Sequence, residues 1–387
     1  MIILSRFPYP LEKGDKLRAF HQIKELSNVY SITLITTTDT TVKKESIEQL
    51  RKYCATIYLF RLSKISIAFN VFLQFFTNKP FQVGYFYSSK NNSRIKNILK
   101  ELKPDHIYCQ LIRVSEFVKN YHECPKTLDY MDALSKGMER RIEKAPFYSK
   151  WFFRAEAKRL AQYERQIFDY FEHHTIISEQ DRELILHPKR KEIACIPNGV
   201  DASFFETMSS TKDKDLVFIG NMSYPPNIEA AHYIGEQILP LLNKGNTNYS
   251  FLISGADPHP SIVRLAKSTP QIELTGWVDD IRTSYARGKI FIAPMMIGTG
   301  MQNKLIEAMA LGIPCITTPL ANNAIGGIHN ESIIVAQDKD EFVHAIQKLL
   351  NDPAFYSKIS DNAKQLVMEK FDWGKSTDKL MGVFQKC

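Results

Sequence analysis

Short apolar runs alternate along the chain with longer stretches in which apolar residues recur every three or four positions. The opening MIILSRFPYP is an apolar run broken by proline and predicts a first strand. In the following LEKGDKLRAFHQIKELSN, Leu17, Phe20, Ile23 and Leu26 fall at helical spacing, with Gly14-Asp15 at the helix start. SITLITTT, ATIYLF, HIYCQLI, KTLDYMD and HHTIISE read as further strands with helical stretches between them. EIACIPNGVDASFF ends a strand at Ile196 and turns at Pro197-Asn198-Gly199, which predicts a domain boundary. The alternation then restarts: DLVFIGNM, YSFLISGA, IELTGWV, KIFIAPM, PCITTP and SIIVAQ as strands, with PPNIEAAHYIGEQILPLL, PSIVRLAKS, DDIRTSYARG and KDEFVHAIQKLLND as helices. A last helix is expected over DWGKSTDKLMGVFQK.

Strand alternating with helix predicts an α/β protein whose sheets are parallel and covered on both faces. The expected architecture is two doubly wound domains, residues 1–200 and 201–370, with the C-terminal helix 371–387 packing back on the first. Ligands of such sheets bind at the carboxyl ends of the strands, so the expected working site is a cleft between the two sets of strand ends.

Composition narrows the class. Apolar content of 44% and charged content of 24% are those of a globular protein, and no run approaches the roughly 18–20 apolar residues that span a bilayer. The N-terminus lacks the basic region of a signal peptide, and the six cysteines form no C-x-x-C pair. Both point to a cytoplasmic protein with reduced thiols. The formal charge of +8 is unevenly spread, with nine basic residues and no acidic one over residues 51–100. Such a segment attracts nucleic acid, anionic lipid or a phosphorylated ligand.

GTGMQNKLIEAMALGIPCITTP, from residue 298, carries the most chemistry. Gly298-Thr299-Gly300 lets the backbone turn tightly before a helix expected to start near Met301 or Gln302. Unpaired N–H groups at that start suit a phosphate, and Lys304 adds a full charge. Glu307 lies about 9 Å along the axis, where a carboxylate can accept from both ribose hydroxyls. The competing reading is an amphipathic helix whose Lys304 and Glu307 form a solvated i, i+3 pair.

GTGMQNKLIEAMALGIPCITT closely resembles the donor-site signature of glycosyltransferase family 4, retaining enzymes of the two-domain GT-B fold. IPNGVD, FIGNMSYPPNIEAA and LTGWVDDIRTSYARGKIFIAP extend the resemblance over most of the chain, and RFPYP…KGDKLR is similar to bacterial exopolysaccharide sugar transferases. The resemblance implies that Glu307 binds the ribose of a nucleotide-sugar. It places Gly300 and Lys304 at the diphosphate, with Gly298, Thr299, Asn303, Gly220 and Asn221 in the donor site and Trp277-Val278 beside the base. Two departures stand out. Thr299 occupies the place, eight residues before Glu307, where family members usually carry a glutamate assigned to the donor sugar. Asn221 and Asn227 stand where many members have arginine and lysine, which leaves Lys304 more diphosphate charge to offset.

In the first domain, Gly14, Asp15, Lys16 and Arg18 form a candidate acceptor-side loop, against the plainer reading of a helix cap by Asp15. LDYMDALS ends a strand with Asp129 and Asp132, either of which could orient an acceptor hydroxyl; a histidine common at this place in the family is missing. Asp132 is the first choice and Asp129 the second, with a cap by Asp132 the alternative. His173-His174 lacks a third ligand at metal-like spacing and reads as strand-edge packing. RLSKISIAFNVFLQFFTNKPFQVGYFY and RRIEKAPFYSKWFFRAEAKR mix aromatic and basic residues, as a membrane-surface helix over anionic lipid does. No pattern of a nucleic-acid-binding module is present.

The sequence therefore predicts a metal-independent retaining glycosyltransferase without cofactor, cytoplasmic and peripheral at the inner face of the membrane. It would move a sugar from a nucleotide-sugar, a substrate, to a lipid-linked or polysaccharide acceptor. Catalytic candidates are Lys304, Asp132 and Asp129. The rival expectations are a nucleotide-sugar epimerase of the same architecture and a non-catalytic partner subunit, the latter favoured by Thr299.

Overall fold

A computed structural model describes residues 1–206, 208, 211–245, 247–296 and 301–385. The chain divides into two units, Met1–Pro197 with Trp373–Cys387, and Asn198–Asp372.

The first unit holds strands β1 (Ile2–Leu4), β2 (Thr33–Thr38), β3 (Thr56–Arg61), β4 (Ile107–Gln110), β5 (Lys126–Asp129), β6 (His173–Ile176) and β7 (Ala194–Cys195). They form one sheet in the order β3-β2-β1-β4-β5-β6-β7. Every pairing is parallel, with Ile2 of β1 opposite Leu34 on one side and Tyr108 on the other. Ile3, Leu34, Ile35, Ile107 and Leu128 are sealed from solvent. Near-continuous apolar runs of this kind are what a parallel sheet covered by helices requires.

Strands β8 (Lys214–Ile219), β9 (Phe251–Ser254), β10 (Ile272–Leu274), β11 (Gly288–Ala293), β12 (Cys315–Thr317) and β13 (Ile334–Val335) make the second sheet. Their order is β10-β9-β8-β11-β12-β13, again all parallel. Val217, Phe218, Leu252, Phe291 and Ile316 form its buried centre. The strand-and-helix alternation of the sequence is thus borne out as two doubly wound α/β units.

Three local features depart from the sequence expectation. The single helix predicted over 225–242 is an α-helix only to Tyr233 and passes through a wider π turn at Ile234–Ile238 before Leu239–Leu242. Pro240 has no N–H for the ladder, and its ring crowds the carbonyl one turn back, so the helix widens there. An unforeseen helix covers Pro353–Lys370. Its start carries local signals, Pro353 in the first turn and the Asp352 carboxylate accepting from the Phe355 N–H at 2.9 Å. The Lys304-bearing helix starts at Asn303, after the positions expected from sequence.

The closing helix, Trp373–Phe384, belongs to the first unit. Its Trp373 ring stacks on His21 at 4.8 Å, and Leu380 enters the core beside Ile23 and Leu26.

Candidate functional site

In the second unit the strand order reverses between β8 and β11, and at such a switch point the loops leaving two strands diverge and open a crevice. β8 delivers Gly220 and the Asn221–Ser223 turn; β11 leads through Met295 to the Asn303–Ala310 helix. Gly298, Thr299 and Gly300 lie outside the described residues.

The β8 loop is tight because backbone passes close to backbone. Gly255, just after β9, sits at φ +139°, and a methyl group there would stand 1.9 Å from the Gly220 carbonyl oxygen. The Asn227 amide donates to the Asn221 carbonyl at 2.8 Å, and Asn221 Oδ1 accepts from the Ser223 N–H at 2.9 Å. Asn221 and Asn227 therefore shape this loop.

The Asn303–Ala310 helix buries Leu305, Ile306, Ala308, Met309 and Ala310 against the sheet. That face fixes the other, which carries Lys304 and Glu307. Gln302 precedes the helix, and its side chain does not cap it. Asn198 steadies the first helical residue, its amide donating to Asn303 Oδ1 at 3.2 Å.

Lys304 and Glu307 are not a solvated pair. Each is half-buried, and among the described residues no ion pair joins Lys304 to a carboxylate. Its ammonium donates to Asn227 Oδ1 and lies 4.8 Å from the centre of the Phe218 ring. Burial pulls Lys304 down to about 7 from 10.5, and the nearby Glu307 charge only partly opposes this. Glu307 is pushed up by burial, with Tyr285 and Lys304 working against the shift. Tyr285, fully buried, donates its one hydroxyl proton to Glu307 Oε2 at 2.8 Å, with the Lys304 carbonyl 3.2 Å from the same oxygen. Tyr285 and Asn198 were missed from sequence because both act across long chain separations. Trp277 is 65% exposed and Val278 half-buried, at the loop after β10.

The first unit reverses its strand order between β1 and β4. Asp15 does not cap its helix: Lys13 stands at the cap position with no side-chain bond, and the Asp15 carboxylate pairs with Arg6 at 2.8 Å. Lys16 reaches Glu12 at 3.8 Å. A methyl group at Gly14 would meet no atom within 4 Å. Two expectations need correction. Arg18 is not on a loop surface but wholly buried, donating to Asp129 at 2.7 and 3.3 Å and to the Ile196 carbonyl at 2.8 Å. Asp129, equally buried, also accepts from Tyr108 at 2.8 Å and Thr175 at 3.0 Å. Its lone pairs are occupied by the fold, so it offers none to a substrate. Burial would weaken the Arg18 charge, but Asp129 and Tyr108 more than reverse this and hold it protonated.

Asp132 differs. Its Oδ1 is sealed from solvent and has no hydrogen-bond partner among the described residues. Burial, with Asp181 adding to it, raises its carboxyl to about 6 against the opposing pull of Arg113. His174 stacks on Phe168 at 3.7 Å and is pulled by burial to about 4, which makes it a packing residue. Among the described residues no three His, Cys, Asp or Glu side chains gather as a metal site.

Residues 213–352 match the family model described as Glycosyl transferases group 1. A Klebsiella pneumoniae protein described as an uncharacterized 44.6 kDa protein in the cps region is 22% identical, covering 96% of each chain. The UDP-Gal:alpha-D-GlcNAc-diphosphoundecaprenol alpha-1,3-galactosyltransferase of Escherichia coli is 26% identical over 52% of this chain and 56% of its own. Among solved structures, sucrose-phosphate synthase from Thermosynechococcus elongatus superposes with a TM-score of 0.71 at 14% identity, over 99% of this chain and 98% of its own. Anabaena HepE in complex with UDP and glucose gives 0.69 at 13%, over 98% of each. These likenesses show the GT-B fold, and the family match agrees with the motifs that lie within residues 213–352.

Proposed function

We propose, from the premise that residues 213–352 form a glycosyl transferases group 1 domain, that this protein moves a sugar from a nucleotide-sugar to a hydroxyl of a lipid-linked or polysaccharide acceptor in cell-surface glycan synthesis. The observation that carries this reading is the pair at the second switch point: among the described residues, a lysine without a carboxylate ion-pair partner, one helical turn from a carboxylate that Tyr285 holds through one oxygen. An anion arriving at Lys304 supplies the missing counter-charge, and Glu307 keeps Oε1 for a pentose hydroxyl. Gly298, Thr299 and Gly300, outside the described residues, are proposed to belong to the donor site with Asn303, Gly220 and Asn221. Trp277 and Val278 are proposed to border the base.

As the bond from the anomeric carbon to the diphosphate breaks, negative charge grows on the departing oxygen. Lys304, once protonated, and the helix N–H groups stabilise that charge more than they stabilise the intact donor. The acceptor oxygen forms the new bond to the same carbon, and its proton passes to the departing diphosphate oxygen. Asp132 is proposed to orient that hydroxyl, with Gly14, Asp15 and Lys16 nearby on the acceptor side. Retention of anomeric configuration and independence of metal belong to this proposal.

Placement at an anionic membrane surface is also proposed. The Lys64–Leu73 helix buries none of its residues. Phe76 is 75% and Phe147 87% exposed. Ring contacts run from Phe76 to Phe72 at 5.4 Å, and from Phe75 through Phe81 to Phe152 at 4.8 and 5.1 Å. Among the described residues no helix is long and apolar enough to cross a membrane, so contact through this face would be interfacial. Flotation with vesicles should recover the protein with anionic vesicles and much less with neutral ones; equal recovery would remove the membrane claim. For the donor site, thermal shift across nucleotides should single out one diphosphate nucleotide, and Glu307→Ala should reduce that shift. An unchanged shift would count against the site.

A further inference from the structure

We infer that the first unit binds a phosphoryl group of the acceptor at its own switch point, through Arg113 with Arg6 beside it. The inference rests on the glycosyl-transfer reading for the word acceptor, while the anion site stands on its own geometry. Arg6 follows β1 and Arg113 follows β4, the two strands between which the order reverses. Their guanidinium carbons lie 5.8 and 5.7 Å from the centre of the same buried ring, Phe86.

The two arginines are used differently by the fold. Arg6 pairs with Asp15. Arg113 donates from Nε to Gln82 Oε1 at 3.0 Å, and among the described residues neither terminal nitrogen has a hydrogen bond or ion pair. Removal from water and the Arg6 charge both disfavour the Arg113 cation, with Asp15 and Asp132 opposing. A guanidinium that keeps its two-pronged edge unused while losing hydration is suited to a phosphoryl oxygen pair. Two more polar atoms nearby lack partners among the described residues, Gln82 Nε2 and Asp132 Oδ1, both sealed from solvent. The Gln82 amide can donate to a phosphoryl oxygen, and Asp132 can accept from a hydroxyl. The backbone supporting both charged residues is strained: Leu111, two residues before Arg113, sits at φ 68°, and Met131, immediately before Asp132, at φ 62°. Such geometry in side-chain-bearing residues tends to be held where a site requires it. An anion and a hydroxyl recognised side by side describe a phosphorylated sugar, free or as the diphosphate end of a lipid-linked glycan.

The test uses the full chain with Lys304→Ala and Glu307→Ala together, so that phosphate binding at the donor site is removed. α-Glucose 1-phosphate, glucose and inorganic phosphate are titrated by calorimetry. The sugar phosphate should bind, glucose should not, and Arg113→Met should weaken the sugar phosphate by roughly tenfold or more; Arg113→Lys should recover part of the loss. Nucleotide binding by Arg113→Met in the otherwise unaltered chain reports an intact fold. A prenyl diphosphate sugar in detergent competing more strongly than the free sugar phosphate assigns the anion to a lipid-linked source; equal competition assigns it to the sugar phosphate itself. Loss of all binding in the doubly altered donor site, indifference to Arg113→Met, or glucose binding as well as its phosphate would each overturn the inference. If nucleotides fail to bind while Arg113-dependent sugar-phosphate binding persists, the donor reading fails and this one survives.

Discussion

Both sheets reverse their strand order once, yet the ground beneath the two reversals is built differently. Beneath the first reversal the fold buries one pair of whole charges and cancels it, Arg18 of the helix after β1 against Asp129 of β5 with Tyr108 and Thr175 completing the shell. Only Arg113 beside it keeps terminal nitrogens without a partner among the described residues. Between β8 and β11 it uses close backbone approach at Gly220 and Gly255 and an apolar helix face, with Lys304 left without a carboxylate ion-pair partner among the described residues. A charge cancelled within the fold works as scaffold. A charge kept half-dehydrated and uncancelled is available to a ligand. Position at a strand end alone does not separate the two, and Asp129 and Asp132, three residues apart on one strand exit, fall on opposite sides of the distinction.

That contrast can be broken by experiment, beginning with the largest effect. Arg18→Met should destabilise the first unit by about 3–5 kcal/mol, because it strands the buried Asp129 charge; a chemical-denaturation curve indistinguishable from the unaltered protein would show that the pair is not scaffold. Lys304→Ala should lower turnover by about 10²–10³-fold while weakening donor binding less. Equal losses in kcat and in binding would deny its role in the transition state. Glu307→Ala should cost about 1.5–3 kcal/mol of nucleotide affinity, read by calorimetry, without changing sugar-phosphate binding in the first unit.

A smaller effect follows from Lys304 titrating at about 7. Diphosphate binding should raise that value, so binding takes up a proton above pH 7. Affinity for a nucleotide-sugar should then fall as pH rises from 7 to 9, by at most about tenfold per pH unit for one proton. The slope should vanish in Lys304→Ala; its persistence would place the titration elsewhere. Smallest is the effect on stability. A lysine with a lowered value costs stability in full below pH 7, a cost that fades as pH rises toward its ordinary 10.5. Lys304→Met should therefore raise the melting temperature at pH 6 more than at pH 9, by about 2–4 °C for each kcal/mol recovered.

The alternation of strands and helices was legible because strands buried on both faces leave uninterrupted apolar runs, and helices between them leave three-and-four spacing. In the second unit the local segment 303–310 could be read in order, since its chemistry is set by residues one turn apart. What failed was non-local. Arg18 and Asp129 stand 111 positions apart, and nothing in either neighbourhood announces the other. Tyr285, 22 positions before Glu307, looks like any helix tyrosine until the fold turns its hydroxyl toward the carboxylate. The Pro353–Lys370 helix was a different case, since its Asp-Pro start was present and went unread.

The return of Trp373–Phe384 to the first unit makes the second unit an insertion within the first. During synthesis the ribosome must deliver all of 198–372 before Trp373 can meet His21 and before Leu380 can fill its place in the core. The domain begun first is thus finished last. Until then it waits with an open seam, a stage at which a chaperone would find apolar surface to hold.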